Sequence, residues 1–166
     1  MAVYSFTLIL DHREELTDEG LDRLYEAGCD DATFGMASGV VVADFDREAP
    51  SAEKALRSAI ETVEELVGPV HHVEPGNIVS TGEIAERLGR SRESVRLLAS
   101  GEQGPGTFPI PVSGAASRLR LWSWPEVLAW CVDELGPEID PHLIELTEAI
   151  ADFETRTTTA GRRRTA

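Results

Sequence analysis

Apolar residues in the first half of the chain follow two alternating rhythms. Residues 3–10 form a continuous β-prone apolar run bounded by Asp11 and His12, the pattern of a buried strand. Thr17 is placed to cap a helix running through Ala27, with Leu16 and Leu21 spaced as a hydrophobic staple and Gly28 as the stop. Residues 32–36 and 40–45 read as a hairpin turning at Ala37, Ser38 and Gly39. Pro50 and Ser51 open a second helix, in which Ala52, Leu56, Ala59, Ile60, Val63 and Val67 keep an apolar stripe at helical spacing. Gly68 and Pro69 end it, and residues 70–73 supply a last short strand.

After a compact hinge at Pro75, Gly76 and Asn77 the pattern turns helical. Ser80 and Glu83 stand in the S-x-x-E spacing of a capping box, so a helix from Thr81 buries Ile84, Ala85 and Leu88 before Gly89 makes a turn. Ser91 caps the next helix, which turns Val95 and Leu98 inward and Arg92, Glu93 and Arg96 away. Residues 101–106 are loop, and residues 108–112 are extended because Pro109 and Pro111 bias their predecessors away from helix. A small polar tip at 113–117 leads to a returning strand, with Leu119 and Leu121 on one face and Arg118, Arg120 and Trp122 on the other. This hairpin is a wing carrying two cations. Ser123 and Glu126 suggest another capping box, for a helix that buries Val127, Leu128 and Cys131 and reaches Leu135, with Trp124 and Trp130 closing the core.

The element order βαββαβ over residues 1–74 is that of a ferredoxin-like sandwich. The expected class is therefore α+β: this sandwich, a linker at 75–78, a winged helix-turn-helix domain at 79–135 and a C-terminal helix at 136–154. Asp140 and Pro141 start that last helix, and Leu143, Leu146, Ile150 and Phe153 form a seam of under two heptads. Such a seam serves either a dimer or packing on its own domain. Residues 155–166 lack apolar content and are expected to be disordered, with Arg162, Arg163 and Arg164 either solvated or clamping phosphate.

The net charge of -15 changes this picture only through its distribution. Residues 1–77 hold 17 acidic and 5 basic side chains, whereas residues 78–135 hold 7 and 6. Phosphate contact by the second segment is therefore open. No apolar run approaches the roughly 20 residues needed to cross a bilayer, and the opening lacks the basic start of a signal peptide, so a cytoplasmic protein without membrane contact is expected. Cys29 and Cys131 lack metal-ligand spacing and read as small buried apolar residues. Asp30 with Asp31, and His71 with His72, invite a metal or acid-base reading. Neighbours in a strand point to opposite faces, however, so the two histidines are not expected to share an ion, and no partner cluster completes either site. Nucleophilic triads, phosphate-cradling loops and paired ligands are lacking in the sequence, so neither an enzyme nor a cofactor is expected.

Residues 79–135 resemble the excisionase-type and MerR-type winged helix-turn-helix domains of bacterial and phage DNA-binding proteins. The resemblance rests on residues 83–89 (EIAERLG), 91–96 (SRESVR), the Phe108-Pro109-x-Pro111-Val112 entry to the wing, Arg120-Leu121-Trp122 and Val127-x-x-Trp130. It covers about one third of the chain. It implies that the helix from Ser91 enters a major groove and the wing touches the minor groove or backbone. The implied contacts are Ser91, Arg92, Ser94 and Arg96 on the helix and Arg118 and Arg120 on the wing, with Arg90 placed to share phosphate and base duties. The bland alternative is that Arg90, Arg92 and Arg96 solvate the helix face and pair with Glu86 or Glu93. The long loop at 101–106 departs from the family pattern, and so does the low positive charge.

The expected function is that of a bacterial transcriptional regulator on double-stranded DNA; so few arginines give one copy little affinity, which a homodimer, through the C-terminal seam or the ferredoxin-like sheet, or a partner that supplies charge makes up. One alternative is an antitoxin-like module whose acidic N-terminal domain binds a protein partner. Another is an excisionase-like recombination factor.

Overall fold

The computed structural model describes residues 1–117 and 119–164, with the side chains of 161–164 excepted, so the expectations for Arg118 and for the three C-terminal arginines lie outside the described residues. The chain divides into two compact units, one of residues 1–75 with 145–166 and one of residues 76–144. It is mixed α and β, with antiparallel sheets.

The first unit contains β1 (Ala2–Leu10), α1 (Asp18–Glu26), β2 (Ala32–Ala37), β3 (Val40–Ala49), α2 (Ala52–Leu66) and β4 (Val70–Glu74). The strands form one antiparallel sheet in the order β2-β3-β1-β4. Local chemistry sets the ends of these elements. Thr17 Oγ1 accepts from the Gly20 amide and Ser51 Oγ from the Lys54 amide, each satisfying a donor that has no partner inside its helix. Ser38 and Gly39 both take positive φ, as the tight turn between β2 and β3 requires.

Alternate residues of the central strands make the core: Tyr4, Phe6, Leu8 and Leu10 from β1, and Val41, Ala43 and Phe45 from β3. Opposed Phe6 and Phe45 stack at 5.3 Å, and α2 adds Ala52, Ala55, Leu56, Ala59, Ile60 and Val63. β3 continues past the expected Phe45 to Ala49 because its alternation persists, with Arg47 and Ala49 also turned inward. Arg47 is tolerated there because it is fully engaged. Its guanidinium grips Asp31 through two bonds of 2.7 and 2.9 Å, donates to Ser58 Oγ and the Gly28 carbonyl, and lies over the Phe45 ring. Asp31 thus serves the fold.

The alternation expected of His71 and His72 is corrected. The register against β1 shifts between Ile9 and Leu10, a bulge that leaves His71 as the extra residue. Strict alternation fails there, and the two Nδ1 atoms lie 2.8 Å apart. Among the described residues no group of three or more His, Cys, Asp or Glu side chains is arranged to hold a metal ion.

The second unit contains β5 (Ile78–Ser80), α3 (Thr81–Leu88), α4 (Arg92–Ser100), β6 (Leu121–Ser123), α5 (Trp124–Leu135) and a short 3-10 turn at Gly136–Glu138. Ile78, expected in the linker, instead opens β5 and pairs with Ser123. Val79, Ile84, Ala85, Val95, Trp122, Trp124, Val127, Leu128 and Cys131 form the core. Both cysteines are buried and free.

The wing expectation needs correction in two respects. Residues 108–112 form no strand, since Pro109 and Pro111 lack the amide hydrogens a ladder needs, and the hairpin reduces to one bridge between Ser113 and Leu121. The predicted faces also fail, because Trp122 is buried while Arg120, expected to share its face, is exposed. Among the described residues of the returning arm only Leu121–Ser123 is strand, with its ladder along β5, so the alternation does not extend back through Arg120. Ser123 makes no side-chain cap bond. Its backbone belongs to the ribbon, Pro125 brings no amide hydrogen, and the Trp124 amide is satisfied by the Asn77 carbonyl at 2.7 Å.

α6 (Pro141–Arg164) outlasts the expected end at 154. An established helix extends cheaply, and Thr155, Thr157, Thr158 and Thr159 each return a hydroxyl bond to the carbonyl four residues back. The seam residues are occupied within the chain. Leu146 and Ile150 are buried in the first unit's core with Phe153 against it, while Leu143 packs on the second unit's core. Among the described residues no helix is long and apolar enough to cross a membrane.

Candidate nucleic-acid interface

Two short helices and a sharp turn set up the candidate surface. Ser80 and Glu83 form the reciprocal capping box, with the Ser80 amide donating to Glu83 Oε2 at 2.7 Å and the Glu83 amide to Ser80 Oγ at 3.3 Å. Gly89, left-handed at φ 64°, ends α3, and the Arg90 amide returns to the Ala85 carbonyl. Ser91 Oγ then accepts from the Ser94 amide and opens α4. Val95 and Leu98 bury one side of α4, which leaves Arg92, Glu93 and Arg96 exposed on the other.

The arginines on this surface have different surroundings. Arg90 Nη1 donates to Ser94 Oγ at 3.1 Å, so these two half-buried side chains brace the turn. Arg92 lies across the first turn of α3, close enough that a Cβ on Gly82 would come within 3.0 Å of its guanidinium. Arg96 is held by two bonds to Glu93, of 2.7 and 2.9 Å, with Glu102 at 3.6 Å. This bonding raises the affinity of Arg96 for its proton and holds the Glu93 carboxyl below the usual carboxylate range. The Arg96 side chain is still half exposed, so the pair is open to competing anions.

An aromatic cluster supports the loop between α4 and β6. Phe108 meets Trp122 and Trp130 edge-on at 6.0 and 5.0 Å. Trp122 Nε1 donates to the Pro109 carbonyl, and Trp130 Nε1 to Thr107 Oγ1. At the tip, Gly114 has φ 70°, and a Cβ there would sit 1.9 Å from the Leu119 carbonyl oxygen, so only glycine fits. Ser117 Oγ bonds back to the carbonyls of Gly114 and Leu119. Arg120 is exposed just before β6.

Arg90, Ser91, Arg92, Ser94 and Arg96 therefore gather at the turn and on one helix, with Arg120 on a separate loop. Sequence reasoning missed Glu102 and Gly82. Glu102 is beyond helical spacing of Arg96 and gave no signal, whereas a glycine inside a helix, which costs about 1 kcal/mol relative to alanine, does point to close packing. Arg87 is used for structure. Its guanidinium covers the Trp124 ring at 5.0 Å and donates to the Gly76 carbonyl. Cys131 is buried in the same unit's core, and burial pushes its thiol up to about 11 against a smaller opposing effect of Arg90. Comparison with protein-family models, with curated proteins and with solved structures returns no match.

Proposed function

We propose that the second unit binds double-stranded DNA, with α4 in the major groove and the loop bearing Arg120 against the backbone, and that the protein is a transcriptional regulator of bacterial type. The observation that carries the reading is the capped α3, the left-handed Gly89 and the capped α4, an arrangement that leaves Arg92 and Arg96 on a solvent-facing surface. The first unit, read as a ferredoxin-like sandwich from its element order and its sheet order, carries association or sensing. With so few cations, one copy binds weakly, and a cytoplasmic homodimer on two half-sites supplies the missing phosphate contacts. Because the α6 seam is packed within the chain, such a dimer uses another surface.

Fluorescence anisotropy on upstream and scrambled duplexes across a salt series tests this reading. Preference for the upstream duplex, weakened roughly tenfold by Arg92→Ala with Arg96→Ala, is the expected result. Binding that is absent at every salt concentration overturns it.

One observation favours a protein-interaction reading instead. The outer face of the first unit's sheet carries exposed Asp44, Asp46, Glu48 and Glu74, and the hydroxyls of Thr7 and Ser5 bond Asp44 and Asp46 at 2.6 Å. A basic protein partner, in the manner of an antitoxin's toxin, suits that face, and a pull-down that loses its partner on Asp44→Asn with Asp46→Asn supports it.

A further inference from the structure

Within the first unit, α2 and the part of α6 from Glu145 onward flank a groove of about 440 Å³. Its floor is apolar, made by Leu56 and Ile60 of α2 and Ala149 and Phe153 of α6. Its rim is acidic. Glu53, Glu61, Glu145, Glu148 and Asp152 face Arg57 and Arg156, three negative charges in excess.

Two of these acids are already engaged. Glu53 pairs with Arg57, and Glu145 accepts from the Ala52 amide and the Tyr4 hydroxyl, which fixes α6 to the start of α2. Glu61, Glu148 and Asp152 have no ion pair among the described residues and are exposed. Glu148 and Asp152 stand four residues apart on one helix face, where like charges repel. A cation between them relieves that repulsion, and an apolar body beneath it covers the floor. The volume lies in the range of sites for small organic molecules.

We propose that this groove binds a small amphipathic organic cation, with its charge at Glu61, Glu148 and Asp152 and its apolar part on Leu56, Ile60, Ala149 and Phe153. The site stands apart from the DNA reading, because its ligand is measured on the protein alone.

The test is calorimetric titration of the full chain with tetraphenylphosphonium, beside tetraphenylborate, an anion of the same shape, and spermine, a cation without an apolar body. One tetraphenylphosphonium per chain, at least tenfold tighter than either control, is the expected result. Glu148→Gln with Asp152→Asn should weaken it about tenfold, and Ala149→Trp, with its fold checked by circular dichroism, should abolish it by filling the groove. No binding, equal binding of the two tetraphenyl ions, tightest binding of spermine, or binding that survives Ala149→Trp in a folded protein overturns the proposal.

Discussion

Arg47 in the first unit and Arg96 in the second each hold a carboxylate at 2.7 Å, but in different surroundings. The Arg47 side chain is 11% exposed and that of Arg96 is 52% exposed. Arg47 also donates to Ser58 and the Gly28 carbonyl, so its removal takes one donor group from three partners and leaves the part-buried Asp31 carboxylate without its cation. Arg96 faces water, where exchanging Glu93 for another anion costs little. Distance alone therefore does not distinguish an arginine that holds the fold from one available to a ligand. Burial and the number of partners do.

The largest effect should come from breaking the buried pair. Arg47→Met strands Asp31 and is expected to cost about 3 kcal/mol, measured as a lower denaturation midpoint by circular dichroism. An unchanged midpoint would remove the contrast between the two arginines.

A smaller effect, of about 2 kcal/mol, should come from the Cys131 thiol, whose folded-state value of about 11 lies above the ordinary thiol range. The folded unit keeps the proton where the unfolded chain has lost it. This contribution is complete below the ordinary thiol value and is lost as pH rises toward about 11. Trp122, Trp124 and Trp130 are the chain's three tryptophans and all lie in the second unit, so their fluorescence follows its unfolding. Denaturation should become easier between about pH 9 and about pH 11, and Cys131→Ala should flatten the dependence. A slope unchanged in that variant would assign it to other groups.

The smallest effect concerns the exposed pair and rests on the DNA reading. Glu93→Gln with Glu102→Gln releases Arg96 and should strengthen duplex binding roughly threefold, with a salt slope steeper by about one. Weaker binding would show that the glutamates position Arg96.

Much of the fold was legible because it is written in local chemistry. Thr17, Ser51, Ser80 and Ser91 each sit where a helix needs an acceptor, and Gly89 where the chain needs a left-handed residue. The misses have non-local causes. Arg47 looks like a surface residue until Asp31, Ser58 and the Gly28 carbonyl converge on it. His71 breaks alternation because of a register shift against β1, at the far end of the unit's sequence. Trp122 and Arg120 part faces because the regular ladder to β5 reaches back only to Leu121. For the candidate site, the positions of Arg92 and Arg96 on one helix face were legible from spacing. Their neighbours Gly82 and Glu102 come from a second helix and a loop, which spacing along one helix does not reveal.

The division of the chain has a consequence for its synthesis. The second unit is one continuous stretch, whereas the first needs residues on both sides of it, including Leu146 and Ile150 in its core. At roughly 5–20 residues per second, a ribosome takes several seconds to pass from Pro75 to Glu145. During that interval the sheet and α2 already exist as chain, but the place filled by Leu146 and Ile150 stands open to water. The unit encoded first is thus the one completed last.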